Sequence, residues 1–86
     1  MTARTNRSDI DIMVSAFVDG LITRQQAYQN AVLNGKDATS AKQDLEQLIN
    51  TVDYYLETVH VPFSKDDPLE PLRQAKGRAM HTLINN

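Results

Sequence analysis

The segment from Ser40 to His60, SAKQDLEQLINTVDYYLETVH, constrains the fold more than any other part of this chain. Ala41, Leu45, Leu48, Ile49, Val52, Tyr55, Leu56 and Val59 recur there at the i, i+3, i+4, i+7 spacing that gathers side chains on one face of a helix. At ~1.5 Å per residue such a helix is roughly 30 Å long, enough to cross a small domain. The rest of the chain is short enough to pack against it. Alternating strand patterns are essentially missing, so the expected class is all-α.

Size sharpens that expectation. A chain of 86 residues makes one domain that buries little more than ~60% of its unfolded surface. Its core is modest, and tight helix packing or self-association would strengthen it. Hydrophobic residues are 41% and charged ones 23% of the chain, ordinary globular usage that argues against disorder. The expected organisation is a flexible polar arm over 1–7 followed by one helical domain over 8–86.

Four helices are predicted. Ser8 with Asp11 reads as a capping box opening the first, whose inner stripe is Ile10, Met13, Val14, Phe17 and Val18. Gly20 is expected to stop it. Thr23 with Gln26 forms a second capping box, Ile22 can staple onto Ala27, and Gly35 closes that helix. Its inward side is expected to carry Ala27, Tyr28, Ala31 and Val32. The first two helices would thus form a hairpin lying over the long third one, for which Ser40 with Gln43 is the expected cap. After His60 the chain turns through VPFSKDDP, with Phe63 expected to plug the core. The last helix starts between Asp67 and Pro71 and folds back along the long helix on Leu69, Leu72, Ala79, Met80 and Leu83. Lys76 falls within that stripe and must extend its stem outward or meet a carboxylate. Gly77 is either a point of close approach or a weakness costing about 1 kcal/mol.

The residues Gly20, Leu21, Ile22 and Thr23 resemble the G-[ILV]-[IL]-T core of the short bacterial SHOCT motif. The resemblance covers about a fifth of the chain, and Gln26 and Ala27 stand where that motif carries an acidic and an aromatic residue. It implies a helix corner and brings no function with it.

Several functions are disfavoured by what the chain contains. There is no Cys, hence no disulfide framework or thiolate chemistry. His60 and His81 stand alone, without the His or carboxylate at i+3 or i+4 that a helical metal pair needs. Asp9, Asp11 and Asp19 lack calcium-loop spacing. Asp66 and Asp67 precede a helix and are explained by capping, and no serine sits in a nucleophile elbow. The expectation is therefore no enzyme, no cofactor and no metal. The start, MTARTNRSD, has no apolar core of a signal peptide, and no stretch reaches the ~18–20 apolar residues of a membrane span. A cytoplasmic protein without membrane contact is expected.

Binding to another protein is the favoured reading. At ~100° per residue, Gln43, Gln47, Asn50 and Tyr54 fall opposite the apolar stripe of the long helix, with Glu57 and Thr58 continuing the line. Up to Tyr54 this row is uncharged and ends in an aromatic, with Lys42, Asp44, Glu46 and Asp53 flanking it, which suits an interface because Tyr is enriched in interfaces and charge is depleted from their cores. Ile12 and Ala16 form a second candidate contact on the first helix. The expected role is an accessory, inhibitor or regulatory protein of bacterial or phage type that works by occupying another protein's surface and self-associates as a homodimer. The alternative is a nucleic-acid-binding helix-turn-helix with the long helix as reader. Its candidate contacts are Arg4, Arg7, Arg24, Arg73, Lys76 and Arg78. Against it stand a net charge of −2 and Asp44 and Glu46 near the start of the reading helix, where phosphates need positive or amide partners.

Overall fold

The computed structural model of the chain describes residues 7–59, 61 and 67–85, and these form three α-helices. α1 runs Arg7–Leu33, α2 Thr39–Thr58 and α3 Glu70–Asn85. The all-α expectation holds and the count of four does not. α1 passes straight through Gly20 and is the longest element, 27 residues or about 40 Å.

The reason lies in the spacing of α1. Ile10, Val14, Leu21 and Tyr28 are buried and Phe17 half-buried, an alternation of four- and three-residue steps that crosses Gly20 without losing phase. A glycine inside a helix costs about 1 kcal/mol against alanine. Here it gives α2 a close approach: a Cβ on Gly20 would stand 3.1 Å from Leu48 Cδ2. Arg24 also donates to the Gly20 carbonyl at 3.3 Å. Thr23 and Gln26 are therefore mid-helix residues rather than a cap, and Ile22 is exposed rather than stapled. Ser8 likewise lies within α1. Met13, Ala27 and Val32 turn outward, against expectation, because the stripe that wins is centred on Leu21.

α1 ends as its sequence predicts. Gly35 adopts φ +66° and donates to the Val32 carbonyl at 3.1 Å, while the Lys36 amide reaches the Ala31 carbonyl at 2.9 Å. This pair of bonds is a Schellman cap. α2 begins at Thr39, one residue before the expected Ser40 cap. The Asp37 carboxylate takes that role, accepting from the Thr39 amide at 3.0 Å and its hydroxyl at 2.6 Å. These bonds hold the Asp37 pKa below its ordinary value. α3 opens on Asp67, whose carboxylate accepts from the Leu69 amide at 3.0 Å and pairs with Arg73. Both contacts lower the Asp67 pKa, the Leu69 bond foremost. Pro71 sits in the first turn, where no intrahelical amide bond is lost. Phe63 and His60 lie outside the described residues.

The helices run up, down and up. Gly20 faces Leu48 and Arg24 lies beside Asp44, while Lys76 is ion-paired with Asp53 and Met80 shares a depression with Ile49, so α2 runs antiparallel to both α1 and α3, which run parallel to each other. Between them sits a core of Ile10, Val14 and Leu21 from α1, Leu45, Ile49 and Val52 from α2, and Leu69, Leu72, Ala75 and Ala79 from the start and body of α3. The stripe of the long helix is thus as expected. α3 differs: Ala75 and Thr82 are buried and Met80 is exposed. Small Ala75 and Ala79 bring α3 close to its neighbours and rotate Met80 outward. The same packing exposes a weakness, since a Cβ on Gly77 would meet nothing within 4 Å. Gly77→Ala is expected to stabilise the fold by about 1 kcal/mol. Gly35→Ala, at the positive φ, is expected to destabilise it by about 1–2 kcal/mol. Urea denaturation of the two variants would give midpoints on opposite sides of the parent.

Candidate functional site

The uncharged row predicted on the long helix stands on the outer face of α2. Gln43, Gln47, Asn50, Tyr54 and Thr58 are all exposed, and Tyr54 keeps 69% of its surface. Its neighbour Tyr55 points the other way and packs on Phe17, ring centroids 5.1 Å apart. The Tyr55 hydroxyl is buried with no hydrogen-bond partner among the described residues, and desolvation raises its pKa. The hydroxyls of Thr51 and Thr58 fold back onto the carbonyls of Gln47 and Tyr54, at 3.0 and 2.8 Å. Those two residues therefore present methyl groups outward. Tyr54 and the amides of Gln43, Gln47 and Asn50 make up the polar content of the row.

Beside this row lies a groove that the sequence pattern did not reveal. Asn50, Glu46 and Ile49 of α2 meet Met80, Leu83 and Ile84 of α3 around a depression of about 220 Å³. Ile49 forms its buried floor, and Ile84 is 79% exposed. Met80, expected inside, is exposed, whereas Leu83 packs half-buried against the core as expected. The signal that could have found the groove is the i, i+4 pair Met80 and Ile84, which steps off the Leu72, Ala75, Ala79 stripe. Asn50 belongs to both the row and the groove, so they form one continuous face. Ile12 and Ala16 are also exposed, on α1 rather than on this face.

No family model, no curated protein and no solved structure matches this chain. The helix corner implied by the SHOCT resemblance is absent too, since Gly20 and Thr23 lie inside α1.

The cations named for nucleic-acid contact are scattered and partly neutralised. Arg73 pairs with Asp67 and lies 3.6 Å from Glu70, while Lys76 pairs with Asp53. Arg24 is engaged by the Gly20 carbonyl, and Arg78 is exposed on α3. Arg4 and the side chain of Arg7 lie outside the described structure. The proposed reading helix, α2, packs lengthwise on α1 instead of projecting from a short turn. Lys76 keeps 26% of its side-chain surface, with Asp53 more open. Replacing a half-screened charge by an apolar stem of similar length removes little Coulomb energy and avoids desolvation. Lys76→Met is therefore expected to be neutral or mildly stabilising, within about 1 kcal/mol, when read by urea denaturation.

Among the described residues no group of three or more His, Asp or Glu is placed to hold a metal ion. No described helix is long and apolar enough to cross a membrane.

Proposed function

We propose that this chain is a non-catalytic interaction module that binds another protein through the α2–α3 face and works as a homodimer in an accessory, inhibitory or regulatory role. The observation that carries this reading is the junction of the α2 row, uncharged from Gln43 through Gln47 and Asn50 to Tyr54, with the apolar groove lined by Met80, Leu83 and Ile84. Such a face combines an aromatic anchor, adaptable amides and apolar surface, with Glu46 at its rim. Interfaces concentrate their energy in a few central aromatic or apolar anchors surrounded by polar contacts that exclude water. Tyr54 and Ile84 are the anchors. The partner is a protein segment offering apolar side chains to the groove and hydrogen-bonding groups to the row. Nucleic-acid binding through the scattered cations is the second proposal.

The test is comparative capture from host lysate by the wild type, Tyr54→Ala and Ile84→Glu, each with and without nuclease. The first proposal expects a stoichiometric protein partner that survives nuclease and is lost with either variant. A partner retained by both variants, or one that disappears on nuclease treatment, would contradict it.

A further inference from the structure

The chain leaves α1 through a chemically reactive pair. Asn34 precedes Gly35, so the peptide nitrogen that follows this asparagine belongs to a residue without a side chain. Both stand just past Leu33, the last residue of α1, and both are exposed. The Asn34 backbone amide donates to the Asn30 carbonyl at 3.0 Å, whereas its carboxamide makes no hydrogen bond among the described residues. The Gly35 nitrogen is restrained by a single bond, 3.1 Å to the Val32 carbonyl. A Cβ placed on Gly35 would meet nothing within 4 Å, so no neighbour crowds this peptide bond from that side. Asn30 and Asn50, by contrast, lie inside α1 and α2, ahead of Ala31 and of the β-branched Thr51.

We propose that Asn34 and Gly35 form a self-modifying site, at which Asn34 deamidates spontaneously to aspartate or isoaspartate and thereby releases the cap of α1. Helix ends open at the low end of the local free-energy scale, and opening the bond to Val32 frees the Gly35 nitrogen. Hydroxide removes its proton, and the nitrogen attacks Asn34 Cγ. The new C–N bond forms, the Cγ–Nδ2 bond breaks, and ammonia leaves with a proton taken from water. A five-membered imide remains, which water then opens. Breaking the new Cγ–N bond leaves aspartate. Breaking the original backbone C–N bond leaves isoaspartate, with the chain now running through Cβ and Cγ. Water is consumed, ammonia is released, and nothing is oxidised or reduced. Either product sets a carboxylate at the carboxy-terminal end of α1, where the helix dipole disfavours negative charge. From Gln25 to Gly35 no side chain is otherwise charged. Isoaspartate also lengthens the backbone inside the rings closed by the Gly35–Val32 and Lys36–Ala31 bonds, so the paired cap loses its register. Asp37, which caps α2, follows three residues later, so the loosening reaches the α1–α2 connection. The site uses no residue of the α2–α3 face and stands or falls apart from it.

Incubation of the folded chain in warm, mildly alkaline buffer tests it, followed by peptide mapping with mass spectrometry. Trypsin cleavage after Arg24 and Lys36 leaves Asn30 and Asn34 in one peptide, so the two are compared directly. Position 34 should convert at least about tenfold faster than position 30. Both products should form, the isoaspartate being labelled by isoaspartyl methyltransferase. Asn34→Gln, whose longer side chain disfavours ring closure, should abolish conversion at that position while circular dichroism shows intact helices. The isolated isoaspartate form should unfold at a lower urea midpoint than the parent. Asn34→Asp should fall between the two, because it carries the charge without the lengthened backbone. An Asn34 that stays intact in the folded chain but converts in urea overturns the proposal, since the cap then protects the site. So does conversion at position 30 as fast as at position 34, or an isoaspartate form as stable as the parent.

Discussion

Leu21→Ala is expected to cost about 2–5 kcal/mol of folding stability, the range for a large side chain truncated in a packed core. Leu21 is fully buried, and it occupies the centre of the α1 stripe between Phe17 and Tyr28. Truncation removes its apolar transfer energy and leaves a cavity that α2 and α3 can close only in part, because Gly20 and Leu48 already hold the α1–α2 interface tight. For a domain of this size each kcal/mol moves Tm by roughly 4–8 °C, so a fall of roughly 8 °C or more should be seen. The total stability of a chain this long is of the order of 4–13 kcal/mol, so the variant loses a large share of it. Leu33→Ala, at an exposed position, is the matched control and should stay within about 0.5 kcal/mol in monomer conditions. Thermal and urea unfolding followed by circular dichroism would measure both. A Leu21→Ala variant as stable as the control would remove Leu21 from the core.

The second large effect is expected from Arg24→Pro, which separates a continuous α1 from a corner at Gly20. Were a helix to begin after a Thr23 cap, residue 24 would be its first position, where proline is favoured and the amide has no partner to lose. In the continuous helix the same proline deletes a backbone hydrogen bond and forces its ring against the Gly20 carbonyl, at a cost of about 3 kcal/mol or more. The substitution also removes the Arg24 bond to that carbonyl. Arg24→Ala isolates this second loss, which is small for an exposed group. A pronounced drop in the urea midpoint for proline, with little change for alanine, is the expected pattern. Equal stability of the two variants would restore the corner.

These two experiments address the point at which sequence reasoning parted from the structure. The α2 stripe was fully legible, because nothing interrupts its period from Ala41 to Val59. The Gly35 cap was legible too, since Asn34-Gly35 follows the last apolar residues of α1 and only a left-handed residue closes the helix there. Gly20 misled for a physical reason. A glycine followed three residues later by threonine and then glutamine carries every local sign of a helix end and a fresh start. Local signals, however, are each worth about 1 kcal/mol, whereas the burial of Leu21 and Tyr28 in phase with Ile10 and Val14 is worth several. Tertiary packing prevails, and the threonine becomes an ordinary mid-helix residue. Counting the phase of buried positions across the glycine would have found the longer helix.

The outer face of α2 was legible because it is the complement of a clear inner stripe. The groove beside it was not, since Met80 and Leu83 share similar hydrophobicity and only the small size of Ala75 and Ala79 decides which of them turns inward.

The measurement that tests the functional account most directly is site-specific photo-crosslinking in host cells. A benzophenone side chain replaces Tyr54 or Ile84 on the α2–α3 face, and, as a control, Ser15 on the exposed side of α1. The account expects a discrete protein adduct of the same partner from positions 54 and 84 and none from 15. Adducts of equal yield from all three positions, or from position 15 alone, would contradict it.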